Sequence, residues 1–516
     1  MDRAIGLTLD PARPEPLYVQ LVEQVTARAR SGAFPPGFRL PPTRELARAL
    51  RVHRNTVVRA FDELVAAGVV TSRVGSGTFV AAPPRRAEAP AAEAPRLPWE
   101  SLLSRGARAE ALRRFDRLAR SVAPGAAAAG REVIDLQRLM PPTDLMPLAT
   151  FRRCVDHVLR IHGGRVLGYA PREGLPRLRR LIAEHLAEAG VPARQDDVLV
   201  TTGSQQAIDL VVRALVDPGD AFLVEASTYP GALNLLAAAG AQAIAVPCDD
   251  EGPDLDFLRR LPRGRVKGFY LMPSCHNPTG ARISAARRQA LLAWSRQMGV
   301  PLVEDDYGRG LVLDETSDEP AALRALDPEV VYVGTFSKKL IPALRVGFVV
   351  CPPGLAERLV PLKHAMDLSS SLLLQHALAE FLERGYLRAH LRRALPEYRR
   401  RLGALEAGLR AHLPAGVAWR RPAQGLATWL SLPASVEPDA LFDEALRRGV
   451  LVGPGSLHLP AGAPARGAHG VRLTFCAEPP ERLTEGARRL GDALGALLAR
   501  RPAPRAEHEV PALGVV

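Results

Sequence analysis

The chain has 516 residues, 47% of them hydrophobic, with a formal net charge of +13 and a sequence pI near 10.1. That length predicts two or three domains of roughly 100–200 residues, and no run approaches the ~18 uninterrupted apolar residues of a membrane helix, so no such span is expected. The opening MDRAIGLTLD has no apolar core, which argues against a secretory signal.

Five cysteines (Cys154, Cys248, Cys275, Cys351, Cys476) are dispersed without a CxxC pair. That pattern suits reduced thiols in a cytoplasm and predicts neither disulfides nor a metal site. The positive charge suits a polyanion partner, as in a nucleoid-associated protein. Arginine fills almost every basic position; the lysines are Lys267, Lys338, Lys339 and Lys363. A guanidinium stays protonated and forms no imine, so covalent amine chemistry has four candidates.

Residues 1–81 alternate helical patterns with turn signals. In PPTRELARALRVHRNTVVRAFDELVAAGVV, Thr43 is predicted to cap a short helix with Leu46, Ala47 and Leu50 inward. Arg51–His53 makes a turn. A second helix carries Val57, Val58, Phe61, Leu64 and Val65 as one apolar stripe and leaves Arg54, Asn55 and Arg59 off it. Two short helices at such a turn make a helix-turn-helix whose second member reads the groove. VVTSRVGSGTFV then predicts two strands around Gly75-Ser76-Gly77, a hairpin or wing. One arginine in such a stretch is usually a solvated charge; the ordered set of helix, turn, helix and wing favours DNA contact.

Residues 82–132 are rich in Ala, Pro and Arg and read as a solvated, semi-rigid linker, with a possible helix from Ser101 to Arg120. Residues 133–500 alternate short apolar runs with helical stretches, the α/β pattern. The tail, 501–516, is expected to be disordered.

Within 133–500, DVLVTTGSQQAIDLVVRAL predicts strand, turn and helix, with Gly203 or Ser204 opening the helix and its free N–H groups offering a phosphate cradle. Neither GxxxxGKS nor GxGxxG is present, so a nucleotide site is not supported. Lys338 lies in VVYVGTFSKKLIPALRVGFVV between two strand-like runs, where burial would lower its pKa and leave a nucleophilic amine. Thr335, Ser337 and Arg345 beside it are donors a phosphate needs. Two adjacent lysines are more often a solvated pair, so SKK alone decides nothing.

VPLVEDDY puts Asp305 at the C-terminal end of a strand, where open α/β sheets bind ligands. A carboxylate there can keep a pyridine nitrogen protonated, or simply cap the next helix. Tyr307 could reach a phenolic oxygen on such a ring, as could Asn277 in PSCHNPTG. Tyr229 in STYPG offers a ring to stack on a planar heterocycle, and Arg472 in GVRLTF is a bidentate partner for a carboxylate. Each of these has a plain alternative as a turn, core or surface residue.

Two resemblances rest on these segments. Residues from PLYVQLVEQV to VGSGTFV resemble a GntR-family winged helix, above all in PPGFRLPPTRELA, HRNTVVRAFDEL and VGSGTF. This implies DNA contacts by Arg44, Arg54, Asn55, Thr56 and the wing-tip Gly75 and Gly77, with Arg59 one step past Val58, where many GntR proteins carry an arginine.

The order TTGSQQA, STYPG, HNPTG, EDDY, TFSKK…R, VRL resembles that of fold-type I aminotransferases over roughly residues 133–495, and LGYAPREGLPRLRRLIAEHL is similar to that family's early segment. This implies pyridoxal 5'-phosphate (PLP) held as an aldimine by Lys338, with Asp305 on the pyridine nitrogen and Asn277 and Tyr307 on the phenolic oxygen. Tyr229 would stack on the ring, and Ser204, Gln205, Thr335, Ser337 and Arg345 would bind phosphate. Tyr169 would reach the phosphate of the other subunit, and Arg472 would take an α-carboxylate.

The whole resembles the MocR subfamily of regulators. The fold class it implies is multidomain: a mainly α winged helix-turn-helix joined to an α/β PLP-dependent transferase of fold type I, with a large, mostly parallel sheet and a smaller α+β part. The implied protein is a domain-swapped homodimer that binds double-stranded operator DNA. It would sense an amino acid, an amine or PLP itself through external aldimine formation at Lys338. HNPTG departs from the His-Gln common in that subfamily and matches enzymes, so an active aminotransferase with an autoregulatory DNA-binding domain stays open.

Overall fold

The computed structural model describes residues 5–73, 76–82, 97–109, 112, 132–316, 319–463 and 468–499. The chain separates into two compact units, residues 1–99 and 100–516.

In the first unit, α1 (Leu17–Ser31), α2 (Thr43–Ala49) and α3 (Arg54–Ala66) precede a hairpin of β1 (Val70–Arg73) and β2 (Gly77–Val80). The hairpin register pairs Val70 with Val80 and Arg73 with Gly77. The core is Leu21 and Val25 of α1, Leu46 of α2, and Val57, Ala60, Phe61 and Leu64 of α3, with Val70 and Val80 from the hairpin. Burying each large apolar side chain contributes about 1.5–3 kcal/mol.

The α3 stripe is narrower than the sequence suggests: Val58 is half-buried and Val65 is 43% exposed, because Ala60 takes the inward position between Val57 and Phe61. Leu50 is half-buried as well. Thr43 does not cap α2. It is the helix's first residue, Pro42 stands at the cap, and no side-chain cap bond forms there among the described residues. Of the expected helix over 101–120, the described residues show a helical turn at Trp99–Leu102, turns from 105 to 108 and a helical residue at 112; 110–111 and 113–120 lie outside the described residues. So do the tail 501–516 and most of the linker.

The second unit is built on a seven-stranded sheet. Its strands are β4 (Val198–Thr201), β5 (Ala221–Glu225), β6 (Gln242–Val246), β9 (Val266–Leu271), β10 (Leu302–Asp305), β11 (Val331–Thr335) and β12 (Gly347–Val350), with β3 (Ile134–Asp135) before them and the small hairpin β7 (Cys248–Asp249) and β8 (Gly252–Pro253) between β6 and β9. The order is β4-β12-β11-β10-β9-β5-β6. Every neighbouring pair is parallel except the two made by β12, which runs antiparallel to both β11 and β4.

The strands read as unbroken apolar runs (VLVT, AFLVE, VYVGT, GFVV) because helices cover both faces. A second, antiparallel sheet of β13 (Ala418–Arg420), β14 (Ala427–Ser431), β16 (Gly453–Pro454) and β17 (Gly470–Thr474) packs with the helices Tyr386–His412 and Pro480–Ala499 around its own core, and β15 (Val450–Leu451) pairs in parallel with β3. Among the described residues no helix is long and apolar enough to cross a membrane.

Candidate cofactor cavity and nucleic-acid interface

Parallel strands all deliver their C-terminal ends to one edge of the sheet, and the residues just past those ends share a crevice. Here β4 leads into the helix Ser204–Leu215, β9 into the turn holding Asn277, β10 ends on Asp305, and β11 ends on Thr335. They line a cavity of about 600 Å³ with Ser204, Gln205, Tyr229, Asn277, Asp305, Tyr307, Thr335, Ser337, Lys338, Arg345 and Arg472 on its wall. Eleven of the twelve residues singled out for this site thus meet in one place. The twelfth, Tyr169, is 79% exposed on the surface and outside this cavity.

Asp305 is buried at the cavity wall. Its Oδ2 accepts from the Tyr270 hydroxyl at 2.6 Å, and its Oδ1 is buried with no partner among the described residues. Burial pushes the carboxyl up to about 7, against the opposing pull of the Tyr270 bond. Tyr270 is brought here by strand pairing: β9 and β10 run parallel with Tyr270 opposite Val303, which puts it beside the strand end that carries Asp305.

The Lys338 ammonium donates to the Leu139 carbonyl at 2.6 Å. Burial lowers its pKa, and the neighbouring Arg472 and Arg345 act in the same direction. The structure separates the two adjacent lysines: Lys339 is buried away from the cavity over the Phe336 ring, and burial brings it down to about 8.

At the β4 end, Gly203 caps the helix Ser204–Leu215 with φ 84° and ψ 168°. A Cβ on Gly347 would lie 2.6 Å from Ser204 N, so close approach of backbone requires that glycine, while Gly203 is required by its positive φ. Arg345 itself adopts φ 49° and donates to the Thr202 carbonyl at 3.2 Å. The Thr335 and Ser337 hydroxyls are 3.1 Å apart.

Gln205 has both ends of its amide engaged: Oε1 accepts from the Tyr229 hydroxyl at 3.0 Å and Nε2 donates to the Gly231 carbonyl at 3.0 Å. It therefore braces Tyr229. Gly203→Ala is expected to lower the melting temperature and weaken PLP retention. The backbone conformation is nearly glycine-only and costs roughly 1–3 kcal/mol for other residues; a fluorescence titration beside a melting curve checks it.

Arg472 sits on β17 opposite Gly453 of β16. Its Nη1 donates to Asn277 Oδ1 at 2.9 Å and its Nη2 to the Gln137 carbonyl at 2.7 Å. The Tyr307 hydroxyl and the Cys275 thiol are 3.2 Å apart. Gln137, Leu139, Tyr270 and His458 are further members of the site that the sequence reading missed.

In the first unit, Arg44, Arg54, Asn55 and Arg59 are exposed and Thr56 is half-buried. Arg54 and Asn55 open α3, whose N-cap His53 accepts from the Asn55 N–H at 3.2 Å. The exposed Arg59 guanidinium stacks on the Tyr18 ring at 3.9 Å and donates to that hydroxyl at 3.1 Å. Gly77 is the first residue of β2, while Gly75 lies outside the described residues. Exposed Arg39 and Arg73 flank the hairpin and were not singled out in the sequence.

Residues 144–490 match the aminotransferase class I and II family, and residues 17–80 match the gntR family of bacterial regulatory proteins. Fold, cavity and head together define a regulator-type winged helix fused to an aminotransferase-type body. The chain belongs to the aminotransferase class I and II family and, within it, to the MocR-type fusions with a GntR head.

It is 34% identical over 501 residues to the probable rhizopine catabolism regulatory protein MocR of Rhizobium meliloti, covering 95% of this chain and 96% of that protein. It is 37% identical over 364 residues to a 2-aminoadipate transaminase of Thermus thermophilus, covering 70% of this chain and 89% of the relative. Among solved structures, it is similar to the α-aminoadipate aminotransferase LysN of Thermus thermophilus, complexed with N-(5'-phosphopyridoxyl)-L-leucine. There the TM-score is 0.69 and the identity 33%, covering 78% of this chain and all of that one.

Proposed function

We propose that the protein is a PLP-dependent DNA-binding regulator that senses an amino compound, or PLP itself, at Lys338. The observation that carries the reading is the buried, unpartnered Oδ1 of Asp305 in a cavity that also holds a buried amine. A carboxylate held in that state has its counterpart in a protonated ring nitrogen. When bound, PLP supplies an aldehyde and an electron-withdrawing ring.

The chain's own groups then have distinct tasks. Lys338, uncharged more readily than a solvent lysine, supplies the attacking amine. Asp305 holds a proton on the ring nitrogen, and Tyr270 holds Asp305 in place. Ser204, Thr335, Ser337 and Arg345, with the N–H groups that open the helix at Ser204, bind phosphate. Arg472, oriented by Asn277, takes a carboxylate.

Domain limits of 1–81 for the head, 82–132 for the linker and 133–500 for the body are part of the proposal. A homodimer is also proposed: Tyr169 stands exposed with Leu167, Leu148 and Ile161, an apolar set that a second copy would cover. An amino compound shifts the DNA-binding equilibrium only by its differential affinity for two states of the body. Visible-absorbance titration of PLP-loaded protein with amino acids and amines, with and without operator duplex, tests this. A ligand whose affinity does not change with DNA overturns the regulatory coupling.

For the head, Arg54→Ala is expected to weaken operator binding and to lower the slope of log affinity against log salt by about one unit, the share of one phosphate contact. Gel-shift affinity measured at several salt concentrations checks it, and an unchanged slope counts against the assignment.

A second reading is favoured by the 37% identity to a transaminase together with the eleven candidate residues that line one cavity. In that reading the same groups run complete amino transfer, with Lys338 moving the proton. Sustained turnover of an amino donor with a keto acid would establish it.

A further inference from the structure

His458 is the last residue of the turn Gly455–His458, which directly follows β16, the strand that places Gly453 opposite Arg472. The residue is 1% exposed and lines the cavity. Two bonds strap it to the loop that carries Tyr229: the Thr228 N–H donates to the His458 carbonyl at 2.8 Å, and the imidazole Nδ1 lies 2.9 Å from the Thr228 carbonyl.

A carbonyl oxygen only accepts, so Nδ1 carries the hydrogen. Nε2 is therefore the acceptor nitrogen in the neutral ring, and it has no hydrogen-bond partner among the described residues. Burial, with Arg472 nearby, holds the imidazole well below its usual pKa, so the ring stays neutral and Nε2 stays an acceptor.

Several acceptors near it are already engaged, and Asp305 Oδ1 is assigned to the ring nitrogen in the proposed reading. Asn277 Oδ1 and the Gln137 carbonyl both serve Arg472, and Gln205 Oε1 serves Tyr229. The cavity wall is otherwise rich in cations: Lys338, Arg345, Arg472 and Arg138. A cationic ligand side chain would meet like charges there, and an apolar one would leave Nε2 buried and unpaired.

We infer that His458 is a specificity-determining residue that selects amino acids with an uncharged side-chain donor, a hydroxyl or carboxamide, by accepting its hydrogen at Nε2. The inference rests on the reading of this cavity as an amino-compound pocket.

The test uses full-length, PLP-loaded protein and near-isosteric pairs: L-threonine against L-valine, and L-homoserine against L-norvaline. Apparent affinities are read from visible absorbance and from the shift in melting temperature. The donor member of each pair is expected to bind about tenfold tighter, the worth of one net hydrogen bond in a closed site.

His458→Asn can keep the strap to Thr228 but has no acceptor at the Nε2 position, so the ratio should fall to about one. His458→Gln, which can place an amide oxygen near that position, should keep part of the ratio. PLP loading and the affinity for L-2-aminobutyrate are measured alongside in both variants: a structural role would lower both members of each pair alike and leave the ratio unchanged, whereas loss of the Nε2 acceptor lowers the ratio itself.

A wild-type ratio near one, a preference for charged side chains, or an equal ratio in wild type and His458→Asn overturns the inference while leaving the cofactor reading intact. Silence toward every amine tested overturns both.

Discussion

Lys338→Ala is expected to abolish covalent capture of PLP altogether. The wild-type protein, loaded and then treated with borohydride, should carry one reduced label per chain on the peptide containing residue 338. The variant should carry none and should lose the cofactor on gel filtration, and amines should no longer alter its visible spectrum.

No other lysine is placed to take over. Lys339 is buried over the Phe336 ring and does not line the cavity. Lys363 is 1% exposed and paired with Asp367 at 3.0 Å, and Lys267 pairs with Asp220 at 3.6 Å near the start of β5. The variant should stay folded, because the truncation enlarges an existing cavity instead of opening a new void in packed core. A reduced label found on Lys339 or Lys363 of the wild-type protein would reject the assignment of Lys338.

What the sequence made legible were features that sit on one element. Asp305 at the end of an apolar strand, Lys338 between two such strands and Gly203 before an amphipathic helix are each local patterns of period and punctuation. The strand ends that carry them converge because parallel connections leave no other arrangement.

What stayed hidden depends on contacts between elements. Tyr270 reaches Asp305 across two strands, 35 residues apart. Arg59 reaches Tyr18 over 41 residues and is thereby held against its own unit. The Leu139 and Gln137 carbonyls act through backbone, which no side-chain motif marks. His458 lies in GPGSLHLP, a stretch whose glycines and prolines say only that it turns. Val65 shows the same limit from the other side: helical period gave it to the apolar stripe, but the buried face centres on Val57, Ala60, Phe61 and Leu64 and leaves Val65 43% exposed at its edge.

Asp305→Asn is expected to leave PLP capture by Lys338 in place while slowing amine exchange by ~10²–10³-fold, the usual loss when one preorganised electrostatic partner is removed. The pH dependence gives a second readout, and its sign follows from the environment. Burial raises the carboxyl from 3.8 to about 7. A carboxyl whose folded pKa is raised contributes stability that is fully present below its unfolded value and is lost as pH rises through the folded value.

The unloaded protein should therefore lose this contribution between about pH 4 and pH 7. A protonated ring nitrogen against Oδ1 supplies the missing counter-charge, so the rise in melting temperature on PLP loading should be larger at pH 8 than at pH 6. Glu304 is also raised to about 7, but it is capped by the Leu323 and Arg324 N–H groups and does not line the cavity, so its contribution cancels in the loaded-minus-unloaded difference.

Lys338 pushes the same way, since capture needs its neutral form, and that share should survive in the asparagine variant. The part of the pH dependence that disappears on Asp305→Asn is then the carboxylate's own. Equal exchange rates in the two proteins, or an unchanged pH dependence of the melting shift, would remove Asp305 from the ring nitrogen.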